Sequence, residues 1–562
     1  MINTLFRNCA LATMLSLQTL PGANLALADT SATVRINIAA INDLHGNLHP
    51  TPLTYKDAEG KTHRLDAGGI ATLGGMLDEL RTQDPNLLVV GAGDLIGASP
   101  AASSMWADEP VIEALRGLGL NLSSAGNHEL DAGKAELLRK VNGGCESKLT
   151  GKACQFRSTY TGTGFPYLAA NLIDRESGGL LLPAYHIEQI KGVKIAFVGA
   201  VPADLSAHVT PQGIAGLEVI SEAEGINRVI PEIKAQGVNA IVAVVHQGGH
   251  TSEAFDEANC SKLRGDITEV ARLLDPAVDA LISGHTHQAY QCKIGNLHVT
   301  QSGDYGHFIT HLTLDLTPGQ HRVTHVTARN LLADPTHYQP NASLARLASE
   351  VQARSLEKLA QPIARIGVAS LLRTPNADGE SPMGNLIADA QLAATLQQNA
   401  RIAFTNLRGI RTDLHQYHDQ PLTFAQLFAA QPFDNSLIVM DLTAAQLQSL
   451  LNQQWNGDEF TSLQVSAGFH YRWDPKRPTE SRVVPGSLSL DGKPLELDKT
   501  YRVTTNAFLA YGGNNFSTFL EGTRQVDSGI ADVDALINHL RLSEERAISV
   551  ANQGPARISR EQ

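Results

Sequence analysis

The apolar positions of this chain fall into short β-branched runs, several of which stop abruptly at glycine, asparagine or aspartate. Residues 36–41 lead into Asn42-Asp43-Leu44-His45-Gly46-Asn47, and residues 87–90 into Gly91-Ala92-Gly93-Asp94. Residues 240–245 lead into His246-Gln247-Gly248-Gly249-His250, and 280–282 into Ser283-Gly284-His285-Thr286-His287. A fifth run ends in the turn Ser124-Ala125-Gly126-Asn127-His128-Glu129-Leu130-Asp131. Runs of this length bounded by Gly and Asn predict buried strands, and in open α/β sheets sites form beyond the carboxyl ends of strands. Five such ends, if they converge, line one pocket.

Between these runs, residues 69–81 and 111–118 carry apolar side chains at helical spacing, which predicts helices packed on a core. Residues 222–236 read as a helix kinked at Pro231, and 167–172 and 193–198 as further strands, with Asn171 expected near the pocket. The alternation predicts a layered α/β fold. The stretch 142–165, rich in Gly, Thr and Lys, reads as a solvated loop. A proline-containing break at 335–340 precedes Leu344, Leu347, Val351 and Leu359, whose spacing marks an interdomain helix. From Ile363 a new pattern begins, with strands expected at 402–405, 437–440 and 501–505. At 562 residues the chain is long for one domain, so two lobes are expected, and no repeat points to a solenoid.

Composition and the chain start narrow the setting. Residues 1–28 combine Arg7, an apolar stretch from Cys9 to Leu20 and the small-residue end Ala26-Leu27-Ala28, the pattern of a secretory signal peptide cleaved before Asp29. The run is too short for a membrane span and is broken by Gln18, Pro21 and Asn24, so a periplasmic or secreted protein without a stable membrane anchor is expected. A net charge of −13 argues against binding a nucleic-acid polymer, which normally calls for a basic face. After the signal, Cys145, Cys154, Cys260 and Cys292 remain, allowing three connectivities. A local bridge from Cys145 to Cys154 is preferred, then Cys260 to Cys292, both in keeping with an oxidising compartment.

The chemistry lies at the strand ends. Their inventory of two Asp, one Asn and four His, with no thiolate, is too large for one ion and natural for two, so one carboxylate must bridge. Mixed oxygen and imidazole ligands suit Zn, Mn, Fe or Co better than Mg or Ca. His128 with Asp131 three residues on forms an oriented acid/base or charge-stabilising pair. Alone, Gly-Asn-His is more often a capped turn; the other four stretches change that balance.

The set D-x-H, GD, GNHE, H and GHxH, in this order, resembles the calcineurin-like metallophosphoesterases, and within them the secreted 5′-nucleotidase and UDP-sugar hydrolase group. The resemblance implies a four-layered β-sandwich domain flanked by helices at 29–338, a linker helix at 339–360, a smaller α/β substrate-binding domain at 361–545 and a tail at 546–562. It further implies that Asp43, His45, Asp94 and His287 hold one divalent ion and Asp94, Asn127, His246 and His285 a second, the ions being Zn, Mn or Co. His128 and Asp131 match the family's catalytic dyad, His128 facing the phosphoryl group and Asp131 orienting it.

In the second lobe, Asn406-Leu407-Arg408-Gly409-Ile410-Arg411 stands where members show N-x-G-x-x-R, which makes Arg411 a phosphate-binding guanidinium. Pro432-Phe433-Asp434-Asn435 and the stretch holding Phe508 resemble the segments whose rings stack on a base. The chain departs from the family at Asn514, where a carboxylate holding ribose hydroxyls is usual, and at Leu407-Arg408, which replaces a small pair. Arg373 lies near, but offset from, the family's further phosphate-binding arginines. The resemblance therefore implies a two-metal hydrolase of nucleotide phosphate esters. Hydrolysis of UDP-sugars, 2′,3′-cyclic nucleotides or sulfur esters is the alternative, and a binding protein with a damaged site is the reading from another class.

Overall fold

The computed structural model describes residues 33–561 apart from 58, 150, 239, 259, 318–321, 434, 457–458 and 547–553. The expected signal peptide and Asp434 lie outside the described residues.

The strand-like runs of the first lobe form two six-stranded sheets. In the first, Val34–Ile41, Leu88–Ala92, Leu122–Ser124 and Tyr167–Leu168 are neighbours in parallel register. In the second, Val193–Ala200, Ala240–Val245, Ala280–Ser283 and Leu297–Ser302 do the same. Strands buried on both faces read as continuous apolar runs, and the two-residue period then decides which sheet-face each side chain serves. Ile36, Ile38 and Ala40 point with Val90 into a core shared with Phe197, Val242 and Val244 of the other sheet. Ala39, Ile41 and Val89 point the opposite way, into a cluster containing Leu73, Val111 and Leu115 from the helices Ile70–Gln83 and Glu109–Leu118. Ile241, Ala243 and Val245 likewise face Ile226 and Ile267 of the helices Glu222–Ala235 and Asp266–Leu273. The result is helix, sheet, sheet, helix: the four-layered sandwich, with every core strand covered on both sides. The helix Glu222–Ala235 runs through Pro231.

The expected interdomain helix is Ala342–Leu359, started by Asn341, whose side-chain oxygen accepts from Ser343 N at 3.1 Å and Leu344 N at 3.2 Å. Leu344, Leu347 and Val351 are buried in the first lobe's core, and Leu359 in a cluster of the second. One helix therefore packs into both lobes. Its entry lies so close to Ile70–Gln83 that a Cβ on Gly75 would stand 1.9 Å from the Gln339 carbonyl oxygen.

The second lobe is built on a five-stranded sheet in the order Leu463–Val465, Ile402–Asn406, Thr500–Asn506, Ser436–Thr443, Thr523–Ala531. The helices Pro382–Ala394 and Asp532–Glu545 share one apolar cluster, through Leu386, Ile387, Leu536 and Leu540. Both preferred disulfides are formed, Cys145 with Cys154 and Cys260 with Cys292.

Two expectations are corrected. Residues 142–165 are not a solvated loop: Phe156, Tyr160 and Phe165 are buried in the first lobe's core, and Arg139 joins Glu109 and Glu136 in a buried charge network beneath the disulfide. The stretch expected as a tail at 546–562 contains a strand near its end, because Ile558–Arg560 pairs in parallel with Tyr471, Arg472 and Trp473. Arg557, 2% exposed, donates to Asp389 at 2.7 and 2.9 Å and to the Val465 carbonyl at 2.8 Å. A buried cation persists only where its donors are matched in this way. Arg557→Ala should therefore destabilise the second lobe by about 3–5 kcal/mol, read as a lower urea midpoint. An unchanged midpoint would show that the C-terminal strand carries no part of the fold.

Candidate active site at the lobe interface

All seven expected ligand residues sit where parallel strands end, five of them in strained backbone. Asp43, His45, Asp94, His285 and His287 have φ of 49°, 45°, 50°, 75° and 56°. A side chain in the left-handed region costs about 1–3 kcal/mol and is held there only by its surroundings. The turns are also packed against one another at closest approach. A Cβ on Gly126 would lie 2.2 Å from Asp94 Oδ1, and one on Gly93 would lie 2.5 Å from His246 Nδ1.

The side chains fall into two groups. In the first, His45 Nε2 and His287 Nε2 are 3.0 Å apart, and Asp43 Oδ1 is 3.9 and 3.5 Å from them. In the second, Asp94, His246 and His285 converge, with Asn127 Oδ1 3.0 Å from His285 Nδ1. Asp94 Oδ2 stands between the groups, 3.9 Å from His45 Nε2 and 3.0 Å from His246 Nε2.

Tautomers reveal what these groups require. His45 Nδ1 is 3.0 Å from the Gly97 carbonyl and His246 Nδ1 is 2.7 Å from the Ala92 carbonyl. A carbonyl only accepts, so each Nδ1 carries a proton and each Nε2 is the nitrogen turned into the cluster. His45 and His287 thus bring ring nitrogens together beside a carboxylate, an arrangement that needs a positive charge between them. His246 Nε2 is buried and, despite its closeness to Asp94, lacks a hydrogen-bonding direction to any partner. Burial disfavours the charged imidazole, yet Asp94 outweighs it and pushes His246 up to about 10. Burial likewise opposes the charged form of Asp94, and His246 and His128 overcome it and hold the carboxylate well below its usual range. The donor set therefore fits divalent cations, which would supply that charge directly.

His128 and Asp131 form the expected pair, Nδ1 to Oδ2 at 2.8 Å, with the His128 ring 5.1 Å from that of His45. Burial works against a charged His128, and Asp131 and Asp94 more than offset it, raising its pKa. Facing it is a cavity of about 760 Å³ lined from both lobes, including Arg411, Phe433, Asn406, Phe508 and Asn514. Arg411 lies over the Phe433 ring at 5.6 Å, and that ring is stacked on His128 at 5.8 Å. Phe433 and Phe508 are both half-buried, and Phe508 also packs against the second lobe's core. Asn514 is engaged within the lobe: Asn406 Nδ2 donates to its Oδ1 at 2.8 Å. Arg373 also reaches the cavity wall and donates to the carbonyls of Ile410 and Arg411 at 2.9 and 3.0 Å, holding the turn that presents Arg411.

Comparison with known proteins agrees with this geometry. Residues 36–289 match the family model of calcineurin-like phosphoesterases, and residues 361–521 match that of the 5′-nucleotidase C-terminal domain. The chain belongs to this two-domain 5′-nucleotidase family. Among its relatives is the endonuclease YhcR of Bacillus subtilis (strain 168), 29% identical over 542 residues that cover 94% of this chain and 41% of the relative. The chain thus spans about two fifths of that protein's length. The cell wall protein Lmo0130 of Listeria monocytogenes is 29% identical over 540 residues, covering 91% of this chain and 67% of the relative. The 5′-nucleotidase precursor of Thermus thermophilus shares the fold, with a TM-score of 0.71 and 23% identity over 91% of this chain and 97% of its own.

Within this 5′-nucleotidase frame, two residues without an expected role stand out, and one expectation is corrected. Glu129, inside the Gly-Asn-His-Glu turn, is buried and accepts from Asp94 N at 2.9 Å, Leu95 N at 3.0 Å, Gly126 N at 2.7 Å and Tyr167 OH at 3.3 Å. It staples one ligand turn to the other, and burial together with Asp94 pushes it up to about 7. His208, paired with Asp204 at 3.0 Å, sets its ring 4.5 Å from His285 on the cavity wall. The His208 contact leaves no local spacing signal, whereas Glu129 reaches back three residues to Gly126 within the motif itself. Asn171, by contrast, is away from the cavity: its amide ties Val201 to Ile220 through bonds of 2.8–3.0 Å. Glu129→Gln keeps the volume but turns a donor toward backbone N–H groups. Leaving one of them unpaired should lower stability by about 1–3 kcal/mol, measured by thermal unfolding; an unchanged midpoint would show the staple to be idle.

Proposed function

We propose that the chain is a two-metal phosphoester hydrolase of the 5′-nucleotidase type, releasing nucleoside and phosphate from nucleotides in the periplasm or outside the cell. The observation that carries this reading is the convergence of His45 Nε2 and His287 Nε2 on Asp43, across Asp94 from His246, in a cavity whose far wall carries Arg411 and Phe433. In this reading Asp43, His45, Asp94 and His287 hold one Zn, Mn or Co ion and Asp94, Asn127, His246 and His285 the other. Bound there, the two ions would neutralise phosphoryl oxygens and make water a nucleophile at neutral pH. His128, oriented by Asp131, donates to the phosphoryl group or to the leaving oxygen. Arg411 binds phosphate oxygens, and Phe433 and Phe508 hold the base. The domain division is 29–338, 339–360 and from 361 onward, with the C-terminal strand counted in the second lobe. Secretion is supported by the signal-like start, by two disulfides and by a relative named as a cell wall protein. Among the described residues no helix is long and apolar enough to cross a membrane.

A second reading, a phosphoesterase of broader range that includes cyclic nucleotides or UDP-sugars, is favoured by one contact. Asn514, uncharged and already bonded to Asn406, offers ribose hydroxyls a weaker hold than a free carboxylate. Phosphate release from nucleotides, cyclic nucleotides and UDP-glucose with added Mn or Zn separates the two.

Asp94→Ala should remove both metal binding and turnover, whereas His128→Ala should keep the metals and lose turnover by about 10²–10⁴-fold. Metal analysis beside kinetics checks the pair: loss of metal with His128→Ala would make His128 a ligand, and normal activity of Asp94→Ala would sink the metal assignment. Stacking is worth about 1–3 kcal/mol per ring. Replacing Phe433 and Phe508 by Ala should therefore raise KM for AMP or UMP while leaving p-nitrophenyl phosphate nearly unchanged. Equal losses on both substrates would mean that the rings support the fold instead.

A further inference from the structure

The contacts behind the ligand imidazoles are unequal. His45 and His246 turn their far nitrogens to the carbonyls of Gly97 and Ala92, whereas His285 Nδ1 faces Asn127 Oδ1 within the ligand set itself. Among the described residues His287 is the one ligand imidazole with a carboxylate behind it, its Nδ1 lying 3.1 Å from Asp304 Oδ2. Asp304 Oδ1 in turn lies 3.1 Å from His307 Nδ1, and His307 Nε2 lies 2.7 Å from Thr51 Oγ1. A carboxylate accepts, so both Nδ1 atoms carry protons, and His307 Nε2 accepts from the threonine hydroxyl. His307 is 3% exposed, while Asp304 and His287 are partly exposed on the cavity wall. The loop that bears Asp304 is also tied to the ligand turn on both sides. Asn42 Nδ2 donates to Gly303 O at 2.6 Å and to Asp43 Oδ2 at 2.7 Å, and Tyr305 N donates to Asp43 O at 2.7 Å.

We propose that Asp304, held by His307 and Thr51, is a positioning residue that makes the Asp43, His45 and His287 group the tighter of the two metal sites and the one that fills first; this rests on the two-metal reading above. Two arguments carry it. A carboxylate behind a ligand imidazole fixes its orientation and raises its basicity, and losing such a partner commonly costs 10–100-fold in metal affinity. The first group also has Asp43 to itself, while the second adds only neutral Asn127, His246 and His285 to the shared Asp94. The asymmetry lies both in the ligands and behind them.

The test counts metal rather than turnover. Protein loaded with Mn or Zn is dialysed against a graded chelator and its metal measured by mass spectrometry. The wild type should lose its ions in two steps with a one-ion plateau between them. Asp304→Asn should shift the last step by 10–100-fold in chelator, and His307→Gln, which leaves the carboxylate in place, should shift it less. The plateau ion should persist in His246→Ala and vanish in His287→Ala. Two bound ions released at wild-type chelator concentrations from both Asp304→Asn and His307→Gln would overturn this inference alone, as would a plateau that survives His287→Ala and not His246→Ala. If Asp304→Asn does not fold, an unshifted His307→Gln is sufficient to overturn it. A wild type that never holds more than one ion would overturn the two-metal reading and this inference together.

Discussion

Everything in this molecule answers to one electrostatic constraint: imidazole lone pairs and carboxylate oxygens are forced together where water has been removed. Left alone, such a cluster repels itself, and five of its members additionally sit in left-handed backbone. At about 1–3 kcal/mol each, those conformations could not persist in a loop free to relax. They persist because each lies two to four residues beyond a strand buried on both faces, so the displacement that would relieve a turn would also pull apolar side chains out of the double sheet. Glu129 and Asn42 then bind the turns to one another, by backbone N–H groups in the first case and by a side-chain amide in the second.

The second lobe answers a different need. A metal cluster at the edge of a sandwich can polarise any ester, and selectivity requires a wall that is chemically unlike it. That wall comes from Arg411, Phe433, Phe508 and the Asn406–Asn514 amide pair. The stack of Phe433 on His128 brings the two lobes together at a side chain expected to face phosphorus without being a ligand. The helix Ala342–Leu359, with apolar side chains in both lobes' cores, joins them mechanically on the side of the disulfide-bearing segment: Arg157 from that segment pairs with Glu350 of the helix.

The sequence by itself determined the strand ends and the carboxylates, amide and imidazoles gathered there, because those signals are local. A β-branched run that stops at Gly or Asn announces a buried strand, and two Asp, one Asn and four His gathered at five such stops leave little room for anything but a metal centre. The Cys145–Cys154 pairing and the interdomain helix were legible for similar reasons, a short loop between cysteines in one case and helical spacing of leucines in the other. What only the tertiary structure decided depends on partners far away in the chain. Asp304 became the support of His287 through a loop beside residue 42, and Arg557 found its carboxylate at Asp389. Residues 142–165 read as solvated because their glycines and lysines outnumber the three rings that in fact enter the core. Hydrogen bonds and burial between distant segments leave no period in a sequence, since nothing about residue 304 depends on residues 300–308 repeating; they exist only once the sheets have set the distances.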